Sequence, residues 1–492
     1  MSPRLSLATL GGLPATVARP AYDVAAAQVG VVHLGVGAFH RAHQAAYLDA
    51  ILSRGHKGWA ICGASLRSPD TSDALDPQDG LYTLAARSGA GDKLRIIGAL
   101  RRLLVAPRDP EALLAAMCDP RVRIVTLTVT EKGYCHDPAS GTLDEAHPDI
   151  RTDLANPHRP VSAPGYLVEA LARRRAAGIA PFTVLTCDNL LANGKTVARV
   201  TARLAALRDA DLGRFVAGEV AFPSTMVDRI VPATTDDDRA MVAAGLGMAD
   251  AWPVMAEPFT QWVVEDHFPL GRPPLEEVGV ELVSDVEPFE HMKLRLLNGA
   301  HSTLAYLGYL AGHATIAETM AVPAFARLVA RLQDEEVTPT LHLPAGVDVA
   351  AYKAALRERF ANPALKHRTW QIAMDGSQKL PQRLVAPARD RLAAGAPLPL
   401  IALGIAGWMR YVTGRDEQGG AIDVRDPLAA RLKALADAAG PDADRLAPAL
   451  LSVREVFGDL GADPHFAGPV RAALSRLLAQ GAAATVRQSA DA

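Results

Sequence analysis

The chain has 492 residues, 49% of them hydrophobic and 21% charged, which excludes a disordered, collagenous or coiled-coil protein. That length exceeds what one hydrophobic core serves, so two or three domains are expected. With 51 basic and 54 acidic residues the net charge is −3, giving neither a broad basic field for nucleic acid nor an acidic tail.

Cys62, Cys118, Cys135 and Cys187 lie far apart, with no CxxC and no Cys/His metal spacing. Neither a disulfide framework nor a metal site is expected, and a reducing, cytoplasmic setting fits. The N-terminal stretch is broken by Gly11, Gly12 and Pro14, which argues against a signal peptide. Two uncharged runs reach spanning length. Residues 392–409 are interrupted by Gly395, Pro397 and Pro399, and residues 296–317 carry Asn298, His301 and His313. Both runs belong inside a protein rather than in lipid, so no membrane partner is expected.

In chain order, β-branched apolar runs mark strands at 29–34 (VGVVHL), 59–64 (WAICGA), 122–130 (VRIVTLTVT), 182–187 (FTVLTC) and 278–283 (VGVELV). Segments at helical spacing lie between them, such as 164–177 (PGYLVEALARRRAA). The alternation predicts a parallel sheet covered on both faces. Beyond residue 285 the pattern turns helical, over 288–311, 323–335, 349–360, 399–413 and 427–439. The expectation is an α/β architecture. A Rossmann-type dinucleotide-binding domain over 1–286 is followed by a mainly α-helical substrate domain over 287–492, with a frayed tail from Gln488. Arg173, Arg174 and Arg175 form a basic cluster, expected on a solvated helix face rather than at a nucleic-acid site.

Ligands of open parallel sheets sit beyond the carboxyl ends of the strands. After the first strand come Gly35, Val36, Gly37, Ala38, Phe39, His40 and Arg41. The two glycines open a dinucleotide fingerprint: Gly35 for a tight turn, Gly37 for close approach of a pyrophosphate. His40 stands where the third glycine belongs. After the second strand, Asp70 has the chemistry to bond an adenosine ribose and so favour NAD over NADP, while Arg67 points the other way; a solvated loop carboxylate fits Asp70 equally well. The third strand runs into Thr130, Glu131, Lys132, Gly133 and Tyr134, which suits either a ligand cleft or a surface turn. The fourth runs into Asp188 and Asn189, whose amide can donate to a polarised carbonyl oxygen.

The densest constellation is FEHMKLRLLNGAH, residues 289–301, behind Pro288 at a helix start. On an α-helix, at about 100° per residue, Lys293, Asn298 and His301 fall within an arc of roughly 140°. One face then presents an amine, an amide and an imidazole. A lysine facing a partly dry cleft can release its proton near neutral pH and act as a general base.

With those residues in view, the chain resembles the long-chain mannitol dehydrogenase family, zinc-independent nicotinamide-dependent oxidoreductases of polyols and uronates. The resemblance covers nearly the whole chain. It is carried by HLGVGAFHRAHQAAYLD (33–49), LTVTEKGY (127–134), TCDNLLANGK (186–195), MVDRIVP (226–232) and MKLRLLNGAHSTLAYLGYL (292–310). It implies NAD as cofactor and Lys293 as general acid/base. Asn189 and Asn298 would polarise the carbonyl, His301 would hold a substrate hydroxyl, and Glu290 would gate proton passage. Asp228 and Lys379 would line the polar substrate site. The string HRTWQIAMDGSQKLPQR (367–383) resembles the fructuronate reductase branch, where mannitol-type members can carry an arginine at the position of Gln371. A uronate needs a cation for its carboxylate, and Arg368, then His367, are the candidates. The expected activity is hydride transfer between NADH and D-fructuronate, giving D-mannonate. A mannitol, arabinitol or other polyol dehydrogenase is the alternative enzyme. A dinucleotide-binding sensor without catalysis is the alternative of another class.

Overall fold

The computed structural model describes residues 3–89, 91–137 and 140–492. They form two compact units, Met1–Glu287 and Pro288–Ala492. The strands of the first unit are β1 (Val29–Leu34), β2 (Ala60–Ser65), β3 (Tyr82–Ser88), β4 (Gly91–Ile97), β5 (Leu100–Val105) and β6 (Ile124–Leu127). They continue as β7 (Thr183–Thr186), β8 (Thr225–Asp228), β9 (Val254–Ala256), β10 (Gln261–Glu265) and β11 (Glu281–Val283).

A parallel sheet in the order β5-β2-β1-β6-β7 is the centre of this unit. Its inner strands are continuous apolar runs because both faces are covered: Val32, Leu34, Ile61, Val125 and Leu127 are fully shielded from solvent. Strand order reverses on either side of β1, which opens the crevice where Rossmann-type sheets take ligands. Two smaller mixed sheets, β4-β3-β9 and β11-β10-β8, complete the unit.

The alternating pattern locates four of the five central strands. It passes over β5, an edge strand carrying Arg101 and Arg102, and the β3–β4 hairpin. The third expected strand is also shorter than its apolar run. The Asp188 carboxylate accepts the N–H groups of Val129 (2.8 Å) and Thr130 (3.2 Å) and draws the chain out of the ladder. Residues 278–283 contribute only Glu281–Val283 as strand, after a 3-10 turn at Leu275–Val278. Of the arginine cluster on helix Ala163–Ala176, Arg175 is exposed as a solvated face requires, but its two neighbours are not. Arg174 is wholly buried and donates to the carbonyls of Ala180, Met117 and Asp119, and Arg173 pairs with Glu111 and Glu169. Internal partners absorb the charge that drew attention in the sequence.

The second unit is helical. Glu287–Met292 runs into a π-helical segment, Lys293–Gly299, and on into Ala300–Leu310. Pro323–Arg331 likewise passes into a π-helical stretch, Leu332–Val337. The helix Pro399–Tyr411 is buried over almost its whole length. Its first backbone N–H groups, on Leu400 and Ile401, are taken by the two carboxylate oxygens of Glu336, each at 2.8 Å. The final helix reaches Asp491, so the expected fraying does not occur: Asp491 pairs with Arg327 (2.8 Å) and the Ser489 carbonyl accepts from Arg331 (2.8 Å). No helix among the described residues is long and apolar enough to cross a membrane.

Glu336 is 2% exposed, and burial pushes its carboxyl up to about 7 despite the two N–H donors. The fold therefore favours the protonated form. Its contribution is complete below the unfolded value near 4.5 and is lost as pH rises through 7. Thermal unfolding followed between pH 5 and pH 8.5 should show a fall in stability on the order of 3 kcal/mol that Glu336→Gln removes. An unchanged pH slope in the variant would assign the effect to another group.

Candidate active site

The turn after β1 is built around Gly35, whose φ of +92° an L side chain rarely adopts. A Cβ there would also stand 2.2 Å from the Thr128 carbonyl oxygen. The Gly35 carbonyl accepts from Thr128 Oγ1 (2.8 Å) and from His33 Nε2 (3.1 Å). His33 therefore carries its proton on Nε2, and its Nδ1 accepts from the Thr126 hydroxyl at 2.7 Å. Burial pushes the His33 imidazole down to about 3, so it stays neutral. A Cβ on Gly37 would meet only the Gly35 carbonyl oxygen, at an ordinary contact of 3.9 Å, which leaves the backbone approachable by a phosphate.

The side chains after this turn face inward. His40 stacks on His33 with ring centroids 3.4 Å apart and is fully buried, which accounts for its place in the glycine pattern. Arg41 is buried against Tyr82 and donates to the Trp252 carbonyl at 2.5 Å. What Ala38, Phe39, His40 and Arg41 offer a dinucleotide is therefore chiefly backbone. Asp70 is exposed at the first position of helix Asp70–Leu75. Its neighbour Thr71 donates to the Val36 carbonyl at 3.3 Å, which ties this loop to the glycine turn. Arg67 is exposed as well.

At the ends of β6 and β7 the organising residue is Asp188, which the sequence reading passed over in favour of Asn189. Besides Val129 and Thr130, it accepts from the Tyr134 hydroxyl at 2.7 Å, and burial raises its carboxyl above the ordinary range. Thr130 is held at φ +67° by this grip, and Glu131 follows on the exposed surface. Asn189 comes next after Asp188 and is exposed. Asp228 closes β8 and is 5% exposed. The adjacent Arg229 donates to the carbonyls of Glu257 (2.8 Å) and Ala42 (2.5 Å), fixing this strand end to the helix behind the glycine turn. Arg229 also escaped notice in the sequence, because its partners are backbone atoms distant in the chain.

In the second unit, the π-helical winding of Lys293–Gly299 changes the face arithmetic. With i→i+5 bonding each residue turns roughly 80°, so Lys293 and Asn298 lie about 40° apart rather than about 140°. His301, on the α-helical continuation, closes an arc of about 80°. Lys293 and His301 are each 7% exposed, and Asn298 is half-buried. Three anchors hold the winding. Arg295 donates to the Thr340 carbonyl (2.8 Å) and Asp390 (2.6 Å), Gln333 donates to the Leu296 carbonyl (3.1 Å), and Gly299 lets residues 381–385 approach. A Cβ on Gly299 would stand 2.7 Å from the Arg383 carbonyl oxygen. Glu290 is half-buried one turn before Lys293.

The segment 366–383 separates its candidates. His367 packs its ring 4.9 Å from that of His301. Lys379 Nζ donates to the Met374 carbonyl at 2.5 Å. Arg368 is exposed at the N-cap of the short helix Thr369–Ala373, and its backbone bridges to Thr315. Elsewhere, folding brings Cys135, His147 and Asp149 within 4.8 Å of one another, a grouping with no sequence spacing to announce it. His147 Nδ1 already accepts the Asp149 N–H (3.2 Å) as a helix cap, and burial beside Asp149 and Asp153 pushes the Cys135 thiol up to about 12. These contacts account for the three residues as packing.

Comparison with known proteins follows the same division. Residues 29–277 match the model of the mannitol dehydrogenase Rossmann domain, and residues 285–478 that of the mannitol dehydrogenase C-terminal domain. An uncharacterized oxidoreductase of Escherichia coli, YeiQ, is 49% identical over 96% of both chains. The D-mannonate oxidoreductase of the same organism is 48% identical over 95% of this chain and 96% of its own. The Pseudomonas fluorescens mannitol 2-dehydrogenase, solved as a ternary complex with NAD and D-mannitol, superposes with a TM-score of 0.87 at 39% identity, covering 99% of each chain. With both of its units matched and the relatives aligned over nearly their full length, this chain belongs to the mannitol dehydrogenase family.

Proposed function

We propose that this chain interconverts D-fructuronate and D-mannonate with NAD as cofactor, using Lys293 as general acid/base. The observation that carries the reading is the face formed by Lys293, Asn298 and His301, two of them buried, on a helix that belongs to this family. The 48% identity to a D-mannonate oxidoreductase supports the substrate. NAD, when bound, takes or supplies the hydride. The Gly35–Gly37 turn fits its pyrophosphate, because its backbone is open at Gly37 and rigid at Gly35. Asp70 is read as accepting from a ribose hydroxyl and repelling a 2′-phosphate. Thr130 and Glu131, which follow β6, are read as further cofactor contacts.

In reduction, Lys293 Nζ gives a proton to the oxygen of the reacting carbon; in oxidation it takes that proton back. The amides of Asn189 and Asn298 donate to this oxygen as negative charge develops on it. His301, whose Nε2 has no hydrogen-bond partner among the described residues, holds a substrate hydroxyl. Glu290 passes protons towards Lys293. Asp228 and Lys379 bond further hydroxyls, and His367 and Arg368 stand on the stretch of chain expected to meet the carboxylate. A polyol dehydrogenase of the mannitol 2-dehydrogenase kind is the second reading, favoured by the similarity to the P. fluorescens enzyme.

The deciding assay follows NADH oxidation with D-fructuronate and with D-fructose at matched concentration. Preference for fructuronate is expected, and preference for fructose would move the chain to the polyol reading. Lys293→Ala should cost roughly 10³-fold or more in kcat while NADH still binds, and Asn298→Ala about 10²–10³-fold. A Lys293→Ala enzyme within twofold of normal turnover would refute the assignment. Gly35→Ala should weaken NADH binding by about tenfold or more, read by fluorescence titration, because the turn cannot keep its shape with a Cβ.

A further inference from the structure

Three donors converge on one backbone oxygen at the end of β1. The Gly35 carbonyl accepts from the Gly37 N–H at 2.7 Å, from Thr128 Oγ1 at 2.8 Å and from His33 Nε2 at 3.1 Å. A carbonyl oxygen has two lone pairs, so this one has no accepting capacity left. The Gly35 N–H is committed as well, to the Ala64 carbonyl at 2.8 Å. His33 is fully buried on β1, and Thr128 directly follows β6. The oxygen is therefore drawn towards the interior of the unit.

The direction of the His33 proton is set one step further back. Thr126, on β6, donates its hydroxyl to Nδ1 at 2.7 Å. The single proton of the neutral ring then sits on Nε2, between the Gly35 carbonyl and Thr128 Oγ1 at 2.9 Å. The other tautomer would aim a lone pair at the Gly35 oxygen. His40 fixes the plane of the ring: it stacks on His33 with centroids 3.4 Å apart and planes 13° from parallel, and it is itself fully buried. The third glycine of a dinucleotide fingerprint serves close packing of helix on strand. A ring occupies that place here, and it braces the donor to the turn. A carbonyl oxygen facing a phosphate repels it, whereas backbone N–H groups attract it, so the direction of this one carbonyl matters to an anion site.

We propose that His33 is a positioning residue for the dinucleotide: with its proton oriented by Thr126 and its task shared by Thr128, it pins the Gly35 carbonyl inward, so that the turn does not present a carbonyl oxygen to the pyrophosphate. His33 acts through the backbone of the turn and not by contact with the cofactor. The proposal rests on the reading of the Gly35–Gly37 turn as the pyrophosphate site.

The test is binding to the full chain, with NADH followed by fluorescence titration and ADP-ribose by calorimetry, beside kcat at saturating NADH. The variants are His33→Phe, His33→Gln, His33→Asn, Thr126→Val and Thr128→Val. Phenylalanine keeps a ring without a donor. Glutamine can bring its amide nitrogen to the place of Nε2, whereas asparagine reaches only to that of Nδ1. His33→Phe and His33→Asn should weaken NADH and ADP-ribose alike by about tenfold or more, with kcat changed less than about threefold. His33→Gln should recover most of that loss, and each threonine variant should weaken NADH about threefold or more. Melting temperatures report folding; should His33→Phe not fold, the threonine variants, each short of one hydroxyl, carry the test. Unchanged binding in every folded variant, equal loss in the phenylalanine and glutamine variants, or a fall in kcat without weaker binding would overturn the role of His33 while leaving the turn as the cofactor site. If Gly35→Ala also binds NADH as the unmodified chain does, the reading of the turn itself falls.

Discussion

One carboxylate fixes the business end of the first unit. Asp188 accepts two backbone N–H groups from the chain leaving β6 and the hydroxyl of Tyr134 behind them. Because an extended strand cannot present two successive N–H groups to one side chain, β6 must end where this grip begins. Thr130 is driven into a positive φ, and the loop bearing Glu131 is set beside the carboxyl end of β7. Asn189 inherits its position from the same residue. The neighbouring turn at Gly35 depends on this arrangement as well, since its closest approach is to the Thr128 carbonyl at the start of the diverted segment.

The second unit meets a different demand. A helix must bring three polar groups to one side while its remaining surface packs in a core. An α-helical register separates residues five apart, and the π-helical register brings them nearly into line. That register is secured by groups that reach in from elsewhere: Arg295 to Thr340 and Asp390, Gln333 to the Leu296 carbonyl, and the bare flank of Gly299 against residues 381–385. The polar face therefore depends on helices that contribute no residue to it.

Much of this was legible in the sequence. Strand–helix alternation, the glycine turn and the polar face of 293–301 are local properties, written in residue type and spacing. The winding of that face was not legible, because i→i+5 bonding has no compositional mark and depends on distant donors. Arg174 looked solvated because three arginines in a row usually are; only the folded chain shows three carbonyls converging on it. Arg368 drew attention by standing inside a diagnostic string, yet it is exposed at the N-cap of a short helix. The C-terminal tail was read as loose because its composition is bland, yet two arginines from another helix hold it.

The π-helical stretch at Lys293–Gly299 also bears on how this protein can change over time. A π turn contains one residue more than the α turn it replaces. Loss of a single codon within it would therefore leave a good helix with all of its hydrophobic character. By the same angles it would leave His301 within about 20° of its present direction from Lys293, because the longer path through the π turn and the shorter α-helical path end almost in line. The downstream helix would keep its heading, and what would be lost is the wide turn itself. Where in the stretch the residue is lost then decides the outcome: before Asn298 the amide keeps its place on the face, and after it the amide swings about 100° away from Lys293.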